Sequence, residues 1–311
     1  MVMPQNSSVL HLGTRGSKLA LAQAGMVRDA LGVHGVECAF VSLKTTGDRI
    51  QDRPLADAGG KGLFVKELEE ALLDNRIDLA VHSMKDVPVV LPAGLCISAV
   101  LPREDARDAF ISHKARSLAD LPKGARVGTS SVRRQAQVSR ARPDVEIVSL
   151  RGNVDTRLAK LAAGEFDAIL LACAGLKRLG LLDRATTILS LDAWLPALSQ
   201  GAIGIETRAD DARTNAAVGV LNDFPTSIAL ACERAFQAAL DGSCLTPIGG
   251  HAAFSDGSLK FRGEVIAPDG SGCGDTAIEQ QLGADPEREA AELGREAGLV
   301  LRPRVIQWLA G

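Results

Sequence analysis

The chain of 311 residues reads as an α/β protein: two α/β units with a cleft between them, then a small α+β domain. Three observations predict this. At about 150 residues per domain the length suggests two or three domains. Apolar residues make up 46% and charged residues 23%, the profile of a globular core. Finally, short apolar runs alternate with helical periodicity, the alternation restarts near residue 125, and the pattern changes over roughly the last 90 residues.

In the first unit, Val9–Gly13 reads as a strand and Ser17–Leu31 as a helix, with Leu19, Ala22, Met26 and Ala30 at helical spacing. Val36–Leu43 is a strand, Gly62–Leu73 an amphipathic helix, and Ile77–Val81 and Cys96–Leu101 are further strands. In the second, Arg126–Gly128 ends a strand and Ser130–Arg140 is helical; Val145–Leu150 is a strand, Val154–Ala163 a helix and Ala168–Ala172 a strand. Alternation of this kind predicts mostly parallel sheets flanked by helices. Pro102–Asp108 and Pro196–Gly201 are the expected crossing segments. In the last part, a helix over Thr226–Leu240 stops at Gly242. Strand-like runs follow at Ala252–Phe254, Leu259–Ile266 and Thr276–Gln281, then a charged helix over Asp285–Leu301. The expected domains are 1–101 plus 197–220, then 102–196, then 221–311.

Composition narrows the function. The net charge is −3 and tyrosine is absent, so neither a basic field nor a base-stacking surface for nucleic acid is expected. The longest apolar stretch, Ala168–Leu176, falls far short of the ~20 residues that span a membrane. The first ten residues have neither a basic nor an apolar signal region, so a cytoplasmic protein with reduced thiols is expected. Cys38, Cys96, Cys173, Cys232, Cys244 and Cys273 form no C-x-x-C pair. The histidines are dispersed, and no metal site is expected.

Charge is unevenly spread. Between Lys123 and Arg184, twelve Lys/Arg face six Asp/Glu. The excess coincides with strand-to-helix junctions. Val127-Gly128-Thr129-Ser130-Ser131-Val132-Arg133-Arg134 leads a strand into a helix through three hydroxyl residues, either as a helix cap or as an anion site. Two arginines in a first turn oppose the helix dipole, which points to a bound anion that reverses the balance. Arg151 and Arg157 flank a second such junction, Lys177-Arg178 close a third segment, and Arg15-Gly16-Ser17 sits at the equivalent place in the first unit. Ligands of open α/β sheets bind beyond the carboxyl ends of strands, so arginines converging there imply a ligand with several negative groups. In His82-Ser83-Met84-Lys85-Asp86, Asp86 lies past a strand end, as a turn residue or as a carboxylate for acid–base work. Gly59-Gly60-Lys61-Gly62-Leu63-Phe64 suits a mobile lid and lacks the spacing of a phosphate loop. Asp241-Gly242-Ser243-Cys244-Leu245-Thr246-Pro247 holds a cysteine in a tight loop, a candidate nucleophile or attachment point.

Taken in order, these stretches resemble the porphobilinogen deaminase (hydroxymethylbilane synthase) family. Arg15-Gly16-Ser17-Lys18-Leu19-Ala20, Thr45-Thr46-Gly47-Asp48, Leu150-Arg151-Gly152-Asn153, Gln200-Gly201-Ala202 and Glu233-Arg234 extend the match to nearly the whole chain. Lys18 stands where many members have Pro, and Ser199 where Gly is common. The resemblance implies two solute-binding-protein-like α/β lobes around the active site and a third domain carrying the cofactor cysteine. It implies a monomeric transferase that joins four porphobilinogen units head to tail, with loss of ammonia, on a dipyrromethane cofactor held by a thioether to Cys244. Lys85, Ser83, Thr129, Ser131, Arg133, Arg134, Arg157 and Arg178 would bind that cofactor. Arg15, Ser17, Arg151 and Gln200 would bind substrate, Lys61 and Phe64 would belong to the lid, and Asp86 would be catalytic. A non-catalytic carboxylate-binding protein would use the same arginines, but Cys244 in its loop argues against it. A DNA-binding regulator is disfavoured by the acidic pI of about 6.0 and the lack of a basic recognition helix.

Overall fold

The computed structural model describes residues 9–49, 64–242 and 246–309. The first lobe runs β1 (Leu10–Arg15), α1 (Lys18–Val33), β2 (Cys38–Leu43), α2 (Thr46–Arg49), α3 (Lys66–Leu73), β3 (Leu79–Ser83) and β4 (Leu95–Val100). The second runs β5 (Asp108–Ser112), β6 (Arg126–Gly128), α4 (Val132–Ala141), β7 (Glu146–Val148), α5 (Val154–Ala162), β8 (Ala168–Ala172), α6 (Cys173–Arg178) and β9 (Thr187–Ile188). The chain returns to the first lobe with β10 (Ile203–Arg208) and α7 (Ala212–Gly219). The third domain holds α8 (Phe224–Ala239), the antiparallel strands β11 (Ile248–Ser255), β12 (Ser258–Ile266) and β13 (Cys273–Gln281), and α9 (Pro286–Leu309).

Strands buried on both faces read as continuous apolar runs. In β8, Ile169 and Leu171 pack into one core with Phe166 and Leu176, while Ala168 and Leu170 pack into another with Phe110 and Val127. In the first lobe Leu12, Leu79, Val81, Ile203 and Ile205 pack under Ala24, Val27 and Leu31 of α1.

The sheets are mixed, not mostly parallel. Their orders are β2-β1-β3-β10-β4 and β7-β6-β8-β5-β9. β10 runs antiparallel to β3 and β4, and β5 antiparallel to β8 and β9. Each antiparallel strand enters its sheet from a crossing segment, and the first lobe is completed by β10 only after the chain has passed through the second. The sequence pattern hid both strands because Asp108 and Glu206 interrupt their apolar runs, yet both side chains are fully buried. α6 and α7 also went unread; the first has six residues and the second eight. In α9 the helix continues past Leu301 to Leu309 through Pro303, since the carbonyl that Pro leaves unbonded belongs to exposed Leu299.

The three domains meet at Glu233 of α8, which has no exposed surface. Its Oε1 accepts from Arg103 Nη1 at 2.6 Å and Ala252 N at 2.6 Å; its Oε2 accepts from Arg103 Nη2 at 3.2 Å and Ser199 N at 2.5 Å. One carboxylate thus ties both crossing segments to β11. The crossing segments touch so closely that a Cβ on Gly201, at φ +92°, would overlap the Glu104 carbonyl. Ser199 itself sits in the left-handed region at φ 62°, where glycine carries no steric cost.

Removing one partner of a buried ion pair strands the other charge, at about 3–5 kcal/mol. Glu233→Ala is therefore expected to lower the thermal transition markedly in calorimetry; a transition unchanged within a degree or two would mean that the joint carries no such energy.

Candidate active site

The first lobe supplies one wall of the cleft. Arg15 ends β1, and Ser17 caps α1 by accepting from Ala20 N at 3.2 Å. The Arg15 guanidinium lies 4.2 Å from the centroid of the Phe64 ring, within cation–π range. After β3 a single 3-10 turn, Met84–Asp86, presents the two charged residues. Met84 N donates to Ala202 O at 3.1 Å, and its side chain, 2% exposed, fills the room that Gly204 leaves on β10. Val87 is also buried. With both neighbours anchored, Lys85 and Asp86 project outward and are exposed. Ser83 exchanges hydrogen bonds with Gln23 of α1 at 2.8 and 3.3 Å.

Behind this turn lies a cluster that the sequence reading missed. His82 Nε2 is 2.9 Å from Glu206 Oε2, both residues buried. Glu69 of α3 packs near them, 8% exposed. Burial first, then the Glu206 charge, pushes the Glu69 carboxyl up to about 7. Nothing in the sequence pairs His82 with a strand from beyond the second lobe.

The second lobe supplies the cations. Thr129 is buried and its hydroxyl accepts from Ser131 N at 3.2 Å. Ser131 caps α4, accepting from Arg134 N at 3.5 Å. Arg133 and Arg134 are 3% and 6% exposed. Both pair with the chain's own Asp108. Asp108 Oδ2 accepts from Arg133 Nη2 at 2.9 Å and Arg134 Nε at 3.0 Å, and Oδ1 from Arg134 Nη2 at 2.6 Å. These cations hold the Asp108 carboxyl far below the usual range despite its burial. Arg151 follows β7, and Gly152 at φ 111° turns the chain so that Asn153 can cap α5. Arg157 Nε donates to Gly152 O at 2.8 Å. Burial, with Arg134 and Arg151 adding repulsion, pulls the Arg157 guanidinium down to about 10. Burial lowers Arg151 and Arg178 as well. Arg178, at the end of α6, donates to Gly201 O at 2.5 Å.

The walls meet across Gln200 of the second crossing segment. Lys85 Nζ donates to Gln200 Oε1 at 3.2 Å, and Gln200 Nε2 donates to Asp108 Oδ1 at 2.7 Å. Lys85 is accessible to solvent, with protein atoms packed densely around it. Burial lowers its ammonium to about 8, opposed by the charge of Asp86. Lys18 reaches Asp155 of the opposite lobe at 2.8 Å. Lys61 and Cys244 lie outside the described residues.

A ligand suited to this cleft carries several carboxylates. Buried cations without full charge compensation are costly, and the Nε atoms of Arg133 and Arg178 have no hydrogen-bond partner among the described residues. A dipyrromethane with an acetate and a propionate on each ring has that chemistry. No group of three or more metal-ligating residues occurs among the described residues, and no helix among them is long and apolar enough to cross a membrane.

Fold and site define a two-lobed α/β protein with cationic side chains between the lobes and an exposed carboxylate, Asp86, beside them. The family models that match are the dipyrromethane cofactor-binding domain of porphobilinogen deaminase, over residues 10–216, and its C-terminal domain, over residues 227–302. Porphobilinogen deaminase of Nitrobacter hamburgensis is 57% identical over 94% of this chain and 92% of its own length. That of Paracoccus denitrificans is 49% identical over 97% and 96%. The chain belongs to the porphobilinogen deaminase family. Among solved structures, the methionine-binding protein MetQ aligns over 70% of this chain and 90% of its own at 14% identity, with a TM-score of 0.45. A nutrient-binding protein from Burkholderia cenocepacia bound to methionine aligns over 68% and 90% at 14% identity, TM-score 0.42.

Glu69 yields a pH test. With its folded carboxyl at about 7 against an ordinary 4.5, the unfolded chain ionises first as pH rises. Stability is then lost progressively between these values and the penalty is constant above them. Glu69→Gln is expected to flatten that part of the stability profile and to raise stability at pH 8, measured by urea unfolding; parallel wild-type and variant curves would contradict the assignment.

Proposed function

We propose that this cleft polymerises four porphobilinogen molecules head to tail, with release of ammonia, to give hydroxymethylbilane, a step of tetrapyrrole and haem biosynthesis. The chain is a transferase. The observation that carries the reading is that a cation from each lobe, Lys85 and Arg157, lies within electrostatic reach of exposed Asp86, with Arg151 beside Arg157. The functional division follows 1–101 plus 197–220, 102–196 and 221–311. The protein acts as a cytoplasmic monomer on a small molecule, without nucleic acid.

Lys85, Ser83, Thr129, Ser131, Arg133, Arg134, Arg157 and Arg178 hold the dipyrromethane, and Cys244 supplies the thioether. When bound, that group provides the pyrrole carbon on which the chain starts. Arg15, Ser17, Arg151 and Gln200 receive the acetate and propionate of the incoming substrate, while Lys61 and Phe64 cover it. An ion pair at 4 Å is worth on the order of 4 kcal/mol at an effective dielectric of 20, so the cations offset the mutual repulsion of crowded carboxylates. Arg133 and Arg134 take part mainly as fixed positive charge, since three of their N–H groups donate to Asp108 and others to Gln137, Leu195 and Leu170. Asp86, held outward by the turn, accepts the pyrrole N–H and stabilises the positive charge that develops there as ammonia leaves. The same carboxylate moves a proton during ammonia departure and C–C bond formation.

Asp86→Asn is expected to lower turnover at least ~100-fold with the unfolding transition unchanged. Turnover near the wild-type rate would remove Asp86 from the mechanism. The intact mass of the native protein is expected to exceed the sequence mass by two substituted pyrroles, and that of Cys244→Ser to lack the addition. A native protein at bare sequence mass that binds carboxylates without consuming porphobilinogen would favour the binding-protein reading.

A further inference from the structure

Among the described residues Asp108 is the one carboxylate in contact with both cleft arginines of α4, and the sequence reading placed it in a connecting segment. It opens β5 and has no exposed surface. Besides the arginines it accepts from Trp194 Nε1 at 3.0 Å and from Gln200 Nε2 at 2.7 Å. Gln200 Nε2 also donates to Ala106 O at 2.7 Å, so both amide hydrogens are committed. The amide therefore faces the opposite way with its oxygen, and that oxygen is the acceptor for Lys85 Nζ. Lys85 belongs to the first lobe, Asp108 to the second, and Gln200 to the crossing segment between them. Arg134 Nη1 donates to Leu170 O at 3.0 Å, and Arg133 Nη1 to Gln137 Oε1 at 2.7 Å and Leu195 O at 3.0 Å, so the arginines are pinned around Asp108 and cannot follow another partner cheaply.

We propose that Asp108 is a positioning residue: by fixing the Gln200 amide it sets the place and protonation of Lys85 across the cleft, beside Asp86. The inference rests on the assignment of Lys85 and Asp86 to the reaction only for its consequence in turnover; the geometric part is independent of it. In Asp108→Asn one acceptor oxygen becomes a donor, and the lowest-conflict arrangement rotates Gln200 so that its oxygen meets the new N–H. Lys85 then faces an amide nitrogen and loses its acceptor. The charged groups around Lys85 are Asp86, Asp108, Arg133 and Arg134, so losing the Asp108 charge leaves the repulsion by the arginines less opposed.

The test is competitive labelling of lysines across pH with an amine-directed reagent, read peptide by peptide by mass spectrometry on the full chain, with Lys114 as surface control. The Lys85 midpoint in the native protein is the reference value. In Asp108→Asn its midpoint falls by about one unit, the size of a lost hydrogen bond to a charged group, with Lys114 unmoved. Gln200→Leu, which keeps Asp108 and its arginines, is expected to give the same fall and carries the test if Asp108→Asn does not fold. A Lys85 midpoint unchanged in folded Gln200→Leu would overturn the proposal. In activity, the alkaline limb of kcat/KM should shift with the Lys85 midpoint; a uniform loss at every pH would mark a merely structural role. Midpoints that fall as expected in the variants, with native protein that does not consume porphobilinogen, would count against the functional reading alone.

Discussion

The cleft is organised by a charge that never reaches solvent. Ionised Asp108 is tolerable in the interior because two guanidinium groups, an amide and an indole all donate to it. Two cations against one anion leave the surroundings positive. That surplus cannot relax by moving, because the arginines also donate to fixed carbonyls and the crossing segment is clamped at Glu233. Much of the cleft's electrostatic character follows from this small, rigid, unbalanced cluster.

The two walls are differently built. The second lobe offers preorganised positive charge at helix starts: α4 and α5 both begin at the cleft, each with a side-chain cap. The first lobe offers a single turn, held by a methionine in a groove that a glycine leaves open, with Lys85 and Asp86 adjacent. On the proposed reading binding and chemistry are thus separated in space, with most of the carboxylate-binding arginines in the lobe without Asp86. A buried acidic cluster, Glu69 with Glu206 and His82, backs the reactive turn.

Much of this was legible in the sequence, and the exceptions share a cause. β8 matched its expected span, Ala168–Ala172, because a strand buried on both faces announces itself as an apolar run. The helix over Val132–Ala141 was visible from its caps and period. β5 and β10 were not, because each carries a buried acid whose partner is distant in sequence: Asp108 to Gln200, and Glu206 to His82. Local pattern sees a charge and reads a loop. The first-turn arginines did signal an anion; the sequence reading took it to be a bound ligand, and the structure adds a partner from the chain itself, Asp108. The charges in Arg103–Asp108 just ahead of Ala109-Phe110-Ile111 were the available hint. Glu233 was noted only as part of a motif, since nothing local shows that three domains converge on it.

The late return of β10 to the first sheet bears on how the protein emerges during synthesis. The second sheet is made of contiguous chain, from β5 to β9, and can close as soon as that stretch has been made. The first sheet has a gap between β3 and β4 until β10 arrives from beyond the other lobe. For more than a hundred residues of translation its unpaired strand edges stand open, which is the condition under which nascent chains associate wrongly or engage chaperones. The lobe made first is thus finished second.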